Sequence, residues 1–250
     1  MTEIRIFPVR GMGETRPGDK LAEAILGALE QQGEQLLAGD VVVVTQKVVS
    51  KAEGQVVNPA DFAPSAFAEE IARQGRKDAH HQEVVLRQTK RIVRMDRGVL
   101  IAESKHGFIC ANAGVDESNV DGGRMLTLLP EDSDASAQRL REAFARRVGG
   151  DVAVIISDSF GRPWREGQVN VAIGLAGMSA FQDYRGQSDP YGYEMHVSVL
   201  AVADELASAA ELVMGKLDRV PVAVIRGYAY TPGEGNAQSL IRNAANDLFR

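Results

Sequence analysis

Cysteine is nearly absent from this sequence: among 250 residues there is one, Cys110, so no intrachain disulfide can form. Its neighbours in Phe108-Ile109-Cys110-Ala111 are apolar and no histidine is close to it in sequence, which favours a buried thiol over a nucleophile. No apolar run is long enough to span a bilayer and no signal-peptide pattern opens the chain, so the expectation is a cytoplasmic protein with no membrane partner. Basic runs are missing too. Lys and Arg total 28 against 34 Asp and Glu, a net charge of −6, and duplex nucleic acid needs clustered Lys and Arg, so no nucleic-acid partner is expected. A local basic site for a small anion remains open.

Several catalytic signatures are also lacking. There is no G-x-x-x-x-G-K-[ST] phosphate loop, and Gly11-Met12-Gly13 does not extend to G-x-G-x-x-G because Arg16 holds the third glycine position. No H-E-x-x-H or paired-cysteine zinc pattern occurs, His80 and His81 are adjacent rather than spaced as ligands, and no G-x-S-x-G elbow is present.

What is there suits a globular enzyme. With 44% hydrophobic residues the chain can bury a substantial core. The patterning predicts strands at Ile4–Val9, Val41–Val44, Arg91–Val93, Val99–Ala102, Phe108–Ala111, Met125–Leu129, Val152–Ile156 and Val222–Ile225. Helices are expected after an Asp19 cap (Leu21, Ile25 and Leu29 on one face), within Pro64–Thr89, after a Ser133 cap, over Val197–Gly215 and at the least from Ala201 onward, and over Asn236–Phe249. Helices and strands intersperse without strict alternation, so the fold class is mixed α/β (α+β) rather than a regular doubly wound sheet. A single domain over 1–250 is expected, built of two intertwined subdomains whose edge falls in the polar stretch Arg73–Gln88.

Four constellations hold chemistry. Asn112-Ala113-Gly114-Val115-Asp116-Glu117-Ser118-Asn119-Val120-Asp121-Gly122-Gly123 is rich in the oxygen ligands that hard cations such as Mg²⁺ or Mn²⁺ want and in glycine, which lets backbone approach a ligand; the plain alternative is a polar turn. Ser157-Asp158-Ser159-Phe160-Gly161-Arg162-Pro163-Trp164-Arg165 puts a carboxylate at the end of a buried strand with two arginines close behind, suited to clamping phosphate or carboxylate. Asp204, Ser208 and Glu211 share one helical face, as a solvated stripe or as support for a metal. Gln46, Lys47 and Lys51 follow a buried strand, where the lysines face an anionic ligand or water.

Together the stretches VVVVTQKVVSKAEG, HGFICANAGVDESNV, VAVIISDSFGRPWREGQVNVAIGLAGM and AVADELASAAELVMGK…VPVAVIRG resemble, in order and spacing, the coenzyme F420 gamma-glutamyl ligase family. With nothing after Arg250, the resemblance is to its free-standing form rather than to a fusion with a nitroreductase-like domain. It implies a homodimeric, GTP-dependent ligase with a fold of its own, using two divalent ions, Mg²⁺ or Mn²⁺, with K⁺ as a further ion. It implies transfer of L-glutamate to the coenzyme F420 precursor, then of further gamma-linked glutamates. By that analogy Asp116 and Asp158 bind one metal, and Ser159 the second with help near Gly215. Gln46, Lys47, Lys51, Asn119 and the Met12-Gly13-Glu14-Thr15 loop contact nucleotide, bordered by Met214. Asp158, Arg162 and Arg165 carry the catalysis. Two departures show: Ser159 stands where the family usually has Thr, and the Gly11–Thr15 loop matches less closely. The residues alone also suit a metal-dependent phosphotransferase or hydrolase, or a nucleotide-binding protein without turnover.

Overall fold

The computed structural model describes residues 3–117 and 125–248. In chain order the first half gives β1 (Arg5–Pro8), α1 (Leu21–Gln31), β2 (Val41–Thr45), α2 (Gln46–Ala52), β3 (Val56–Val57), α3 (Ala66–Gln74), α4 (Ala79–Gln88), β4 (Thr89–Asp96), β5 (Val99–Ser104) and β6 (Ile109–Ala111). The second half gives β7 (Leu126–Thr127), α5 (Ser133–Val148), β8 (Ala153–Arg162), β9 (Arg165–Ala176), β10 (Gln182–Asp183), β11 (Val199–Leu200), α6 (Val202–Met214) and β12 (Val222–Arg226).

A five-stranded mixed sheet, ordered β1-β12-β2-β8-β9, is the frame. The pair β2–β8 is parallel and the other three pairs are antiparallel. Val41 to Val44 and Ala153 to Ile156 are fully buried, as β-branched strands covered on both faces must be. A second, three-stranded sheet, β4-β5-β6, lies beside it. The core is correspondingly double. The main cluster gathers the central sheet with α1, α5 and α6; a smaller one joins Ile71, Val84, Val85, Leu100, Val115 and Leu126. Burying those six side chains contributes about 1.5–3 kcal/mol each before the entropy of ordering is set against it. Val115 leads out of the small core into Asp116, and Ile156 leads out of the large one into Ser157 and Asp158, so each core delivers one of the acids.

Mixed α/β is the observed class, and several boundaries differ from expectation for local reasons. Asp19 does not cap α1; its carboxylate accepts from the Arg16 N–H at 2.7 Å and closes the preceding turn, leaving Lys20 at the helix start. Asp132, not Ser133, caps α5, accepting from the Ala135 N–H at 2.9 Å. The helix after Ala201 begins at Val202, while Val199 and Leu200 form a strand. The expected terminal helix is absent among the described residues. Asn236 and Asn243 each accept from a nearby backbone N–H and stop the chain in short 3₁₀ turns at Ala237–Leu240 and Ala244–Asn246. Sequence reading ended β8 at Ile156 and saw a connection beyond it. The strand runs on to Arg162 and turns back as β9, whose first four residues, Arg165 to Gln168, are exposed and so show no burial period.

Candidate active site

The site lies where the parallel β2–β8 ladder ends, at the carboxyl end of β2, the kind of place where open α/β sheets commonly hold ligands. Thr45 and Ser157 are partners in the β2–β8 register. One residue past Thr45 the chain enters α2, so Gln46, Lys47 and Lys51 are held on a rigid helix rather than a loop. One residue past Ser157 comes Asp158.

Asp158 is set by its surroundings. Burial pushes its carboxyl up to about 7; the Ser159 N–H, donating at 2.8 Å, pulls it down, the nearby Asp116 charge raises it, and Lys47 and Lys216 lower it. Asp116 is held by paired backbone hydrogen bonds with Thr127, at 3.0 and 2.9 Å, and its carboxylate meets the Lys47 ammonium at 2.7 Å. Its neighbour Glu117 accepts from His81 Nδ1 at 2.9 Å, and Lys77 donates to the other ring nitrogen at 2.8 Å. Burial first, then Lys77, pushes the His81 imidazole down to about 4, so it is neutral. Sequence reading missed this trio, because His81 and Glu117 are distant in sequence and show no motif. Burial, followed by the Asp158 charge, pushes the free Cys110 thiol up to about 12, in keeping with the inert cysteine expected.

Ser159 is tied to the far wall. Its hydroxyl donates to the Asn170 carboxamide oxygen at 2.7 Å and accepts from Lys216. Asn170 in turn donates to Glu211 at 2.8 Å, and Glu211 pairs with Lys216 at 3.3 Å. Gly215 carries a left-handed φ of +62° at the end of α6; a Cβ there would come within 2.8 Å of an Asp218 carboxylate oxygen. The Asp204–Ser208–Glu211 face is thus no solvated stripe. Asp204 accepts from the Ala172 N–H at 2.9 Å and Ser208 donates to the Asn170 carbonyl at 2.7 Å, so α6 satisfies the outer edge of β9.

The remaining candidates are placed less centrally. Arg162 and Arg165 face each other at the far end of the β8–β9 hairpin, four residues beyond Asp158, or about 13 Å along the strand. Arg162 donates to the Glu166 carbonyl within its own turn, and Trp164 is exposed. Glu14 reaches Lys51 at 2.5 Å and brings the Met12–Thr15 loop against α2, with Met12 packed on the main core and Gly13 exposed. Met214 is wholly buried and belongs to the main core. Asn119 lies outside the described residues.

Among the described residues no group of three His, Cys, Asp or Glu stands ready to hold a metal. The donors that do converge are two carboxylates, of Asp116 and Asp158, and the Ser159 hydroxyl, all hard oxygen ligands of the kind Mg²⁺ and Mn²⁺ take. Buried polar atoms that lack a protein partner on the converging segments include Gln46 Nε2, Asn112 Oδ1, Thr127 Oγ1 and Ser157 Oγ. Orphaned polar atoms at the mouth of a sheet fit a polar, ion-bearing ligand.

Comparison with known proteins agrees with this architecture. Residues 11–227 match the family model described as F420-0:Gamma-glutamyl ligase. The chain is 43% identical over 250 residues to the coenzyme F420:L-glutamate ligase of Methanothermobacter thermautotrophicus, covering 99% of each. It is 44% identical over 252 residues to that of Methanopyrus kandleri, covering 99% of this chain and 98% of the relative. The figure for Archaeoglobus fulgidus is 40% over 248 residues, covering 99% and 96%. A sequence that matches ligases from end to end makes the protein a member of a ligase family. It belongs to the F420-0:gamma-glutamyl ligase family.

Proposed function

We propose that this protein joins L-glutamate to the coenzyme F420 precursor by an amide bond, with GTP as co-substrate and two divalent ions, Mg²⁺ or Mn²⁺, as cofactors. The observation that carries this is the near end-to-end likeness to coenzyme F420:L-glutamate ligases, together with the Asp116–Asp158 pair flanked by lysines just past the parallel β2–β8 ladder. The proposal extends to a homodimer, to K⁺ as a further ion, and to addition of further glutamates.

The chemistry follows from what a carboxylate lacks. Its leaving group would be oxide, so it does not acylate an amine directly. Transfer of the terminal phosphoryl group of GTP to the carboxylate oxygen gives an acyl phosphate and GDP. The glutamate amine then attacks the carbonyl carbon, the C–N bond forms, and inorganic phosphate leaves with the C–O electrons. Phosphoryl transfer needs positive charge on the phosphoryl oxygens and in-line placement. When bound, the divalent ions supply much of that charge. Asp116, Asp158 and the Ser159 hydroxyl would hold them, and Gly215 lets α6 end close by with Lys216 aimed at Ser159. Lys47 and Lys51, on one face of α2, would bind the polyphosphate beside Gln46 and the Met12–Thr15 loop. Arg162 and Arg165 would meet an anionic part of the acceptor further along the hairpin.

The test is nucleotide hydrolysis coupled to both acceptors. Phosphate release from GTP that requires precursor and glutamate together supports the ligase; release that needs neither points to a phosphotransferase or hydrolase. Comparing GTP with ATP in the same assay tests the base preference, which no residue named here reads.

A further inference from the structure

Each side of the candidate metal site holds an ammonium group. Lys47 Nζ lies 2.7 Å from Asp116 Oδ2, and Lys216 donates to the Ser159 hydroxyl while pairing with Glu211 at 3.3 Å. Both lysines come from helical elements that border the cleft, Lys47 in α2 and Lys216 just past the end of α6. An ammonium and a divalent cation compete for the same oxygen lone pairs, those of the Asp116 carboxylate for Lys47 and of the Ser159 hydroxyl for Lys216, and at a few ångströms they repel. A lysine is suited to vacate such a place. Its charge sits on a flexible four-carbon stem and is readily rehydrated or re-paired, unlike a guanidinium locked in a fork. The next lysine on the same helical face, Lys51, is paired elsewhere, with Glu14 at 2.5 Å, and provides an internal comparison.

We infer that Lys47 and Lys216 are exchangeable internal counter-ions, which occupy the acidic site until divalent cation displaces them and are then taken up by the anionic polyphosphate. The inference rests on the cation-binding reading proposed above. It assigns these lysines a double duty. Before loading, they neutralise Asp116 and orient Ser159, so the two cores stay together without a cation. After loading, the released ammonium groups face the phosphates. Cation and nucleotide then help each other bind through a shared side chain, not only through the chelate they form in solution, and this coupling is reciprocal.

The consequence has an unusual sign: deleting a lysine should improve cation binding when no nucleotide is present. Mn²⁺ titration of the full-length, nucleotide-free protein, read by the loss of free-Mn²⁺ paramagnetic signal, tests it with Lys47→Met, Lys216→Met, Lys51→Met and Asp158→Asn. Lys47→Met and Lys216→Met are each expected to bind Mn²⁺ about three- to tenfold tighter than the unaltered chain. Lys51→Met should stay within about twofold, since it removes the same charge from the same helix without touching Asp116. Far-ultraviolet circular dichroism verifies folding, and Lys47→Gln replaces Lys47→Met if the latter does not fold. Unchanged or weaker Mn²⁺ binding in the Lys47 and Lys216 variants, with binding still lost in Asp158→Asn, overturns the exchange and leaves the metal site standing. Equal tightening in all three lysine variants reduces the effect to net charge and overturns it as well. No Mn²⁺ binding by any form, the unaltered chain included, overturns the metal site and the exchange together.

Discussion

Ser159 and Asn170 are register partners across the β8–β9 ladder, and the serine hydroxyl donates to the Asn170 carboxamide oxygen at 2.7 Å. Because Asn170 is buried and donates onward to Glu211, the bond fixes which way the Ser159 lone pairs point. A hydroxyl whose proton is spoken for presents oxygen, not hydrogen, to the cleft. Supporting hydrogen bonds of this kind are worth about 10- to 100-fold in metal affinity when removed. Asn170→Ala is therefore expected to weaken Mn²⁺ binding by about tenfold or more while the protein still folds. Calorimetric titration checks it, and an unchanged affinity would mean that Ser159 needs no orienting partner.

Asp158 predicts a pH dependence. Its folded value is pushed up to about 7 from an ordinary 3.8, so between those limits the folded chain keeps a proton that the unfolded chain has released. Stability contributed by this group is therefore fully present at low pH and declines as pH rises toward 7. Bound divalent cation needs the carboxylate, so it should release a proton near pH 6.5 and reverse the decline. Calorimetry of Mn²⁺ binding at pH 6.5 in buffers of different ionisation enthalpy counts the proton. Release of close to none would show that Asp158 is already charged without metal.

Gly174 tests the packing that supports the site. A Cβ built on it would lie 2.4 Å from the Ser133 carbonyl oxygen, a backbone atom that cannot swing aside. Gly174→Ala should cost about 1–3 kcal/mol as β9 and the start of α5 are forced apart. Urea denaturation measures it; a loss under about 0.5 kcal/mol would mean that the two elements separate freely.

How much of this was legible beforehand differs by element. The valine run of β2 and the apolar run opening β8 were plain, since strands buried on both faces must be apolar throughout. Asp158 stood out because it follows the apolar run of β8, whereas Asp116 sits in an oxygen-rich stretch that also reads as a polar turn. The lysines' helix was not legible, because the seven residues of α2 are too few to show a periodicity. The outward half of β9 was hidden for the opposite reason: Arg165 to Gln168 are exposed and polar, so a strand there looks like a loop. Asn170, Glu211 and Lys216 meet only through tertiary structure. Their spacing of 41 residues between Asn170 and Glu211 carries no local signal, and the helical stripe that includes Glu211 reads equally well as solvated surface.

The most direct measurement is the mass of the product. Incubated with the coenzyme F420 precursor lacking glutamate, GTP, L-glutamate and Mn²⁺, the protein is expected to yield the precursor heavier by one glutamyl residue, followed by longer products if addition continues. Asp158→Asn, with its site carboxylate gone, should yield none above background. Consumption of GTP with no mass gain on the precursor would contradict the ligase reading, and full conversion by Asp158→Asn would contradict the site.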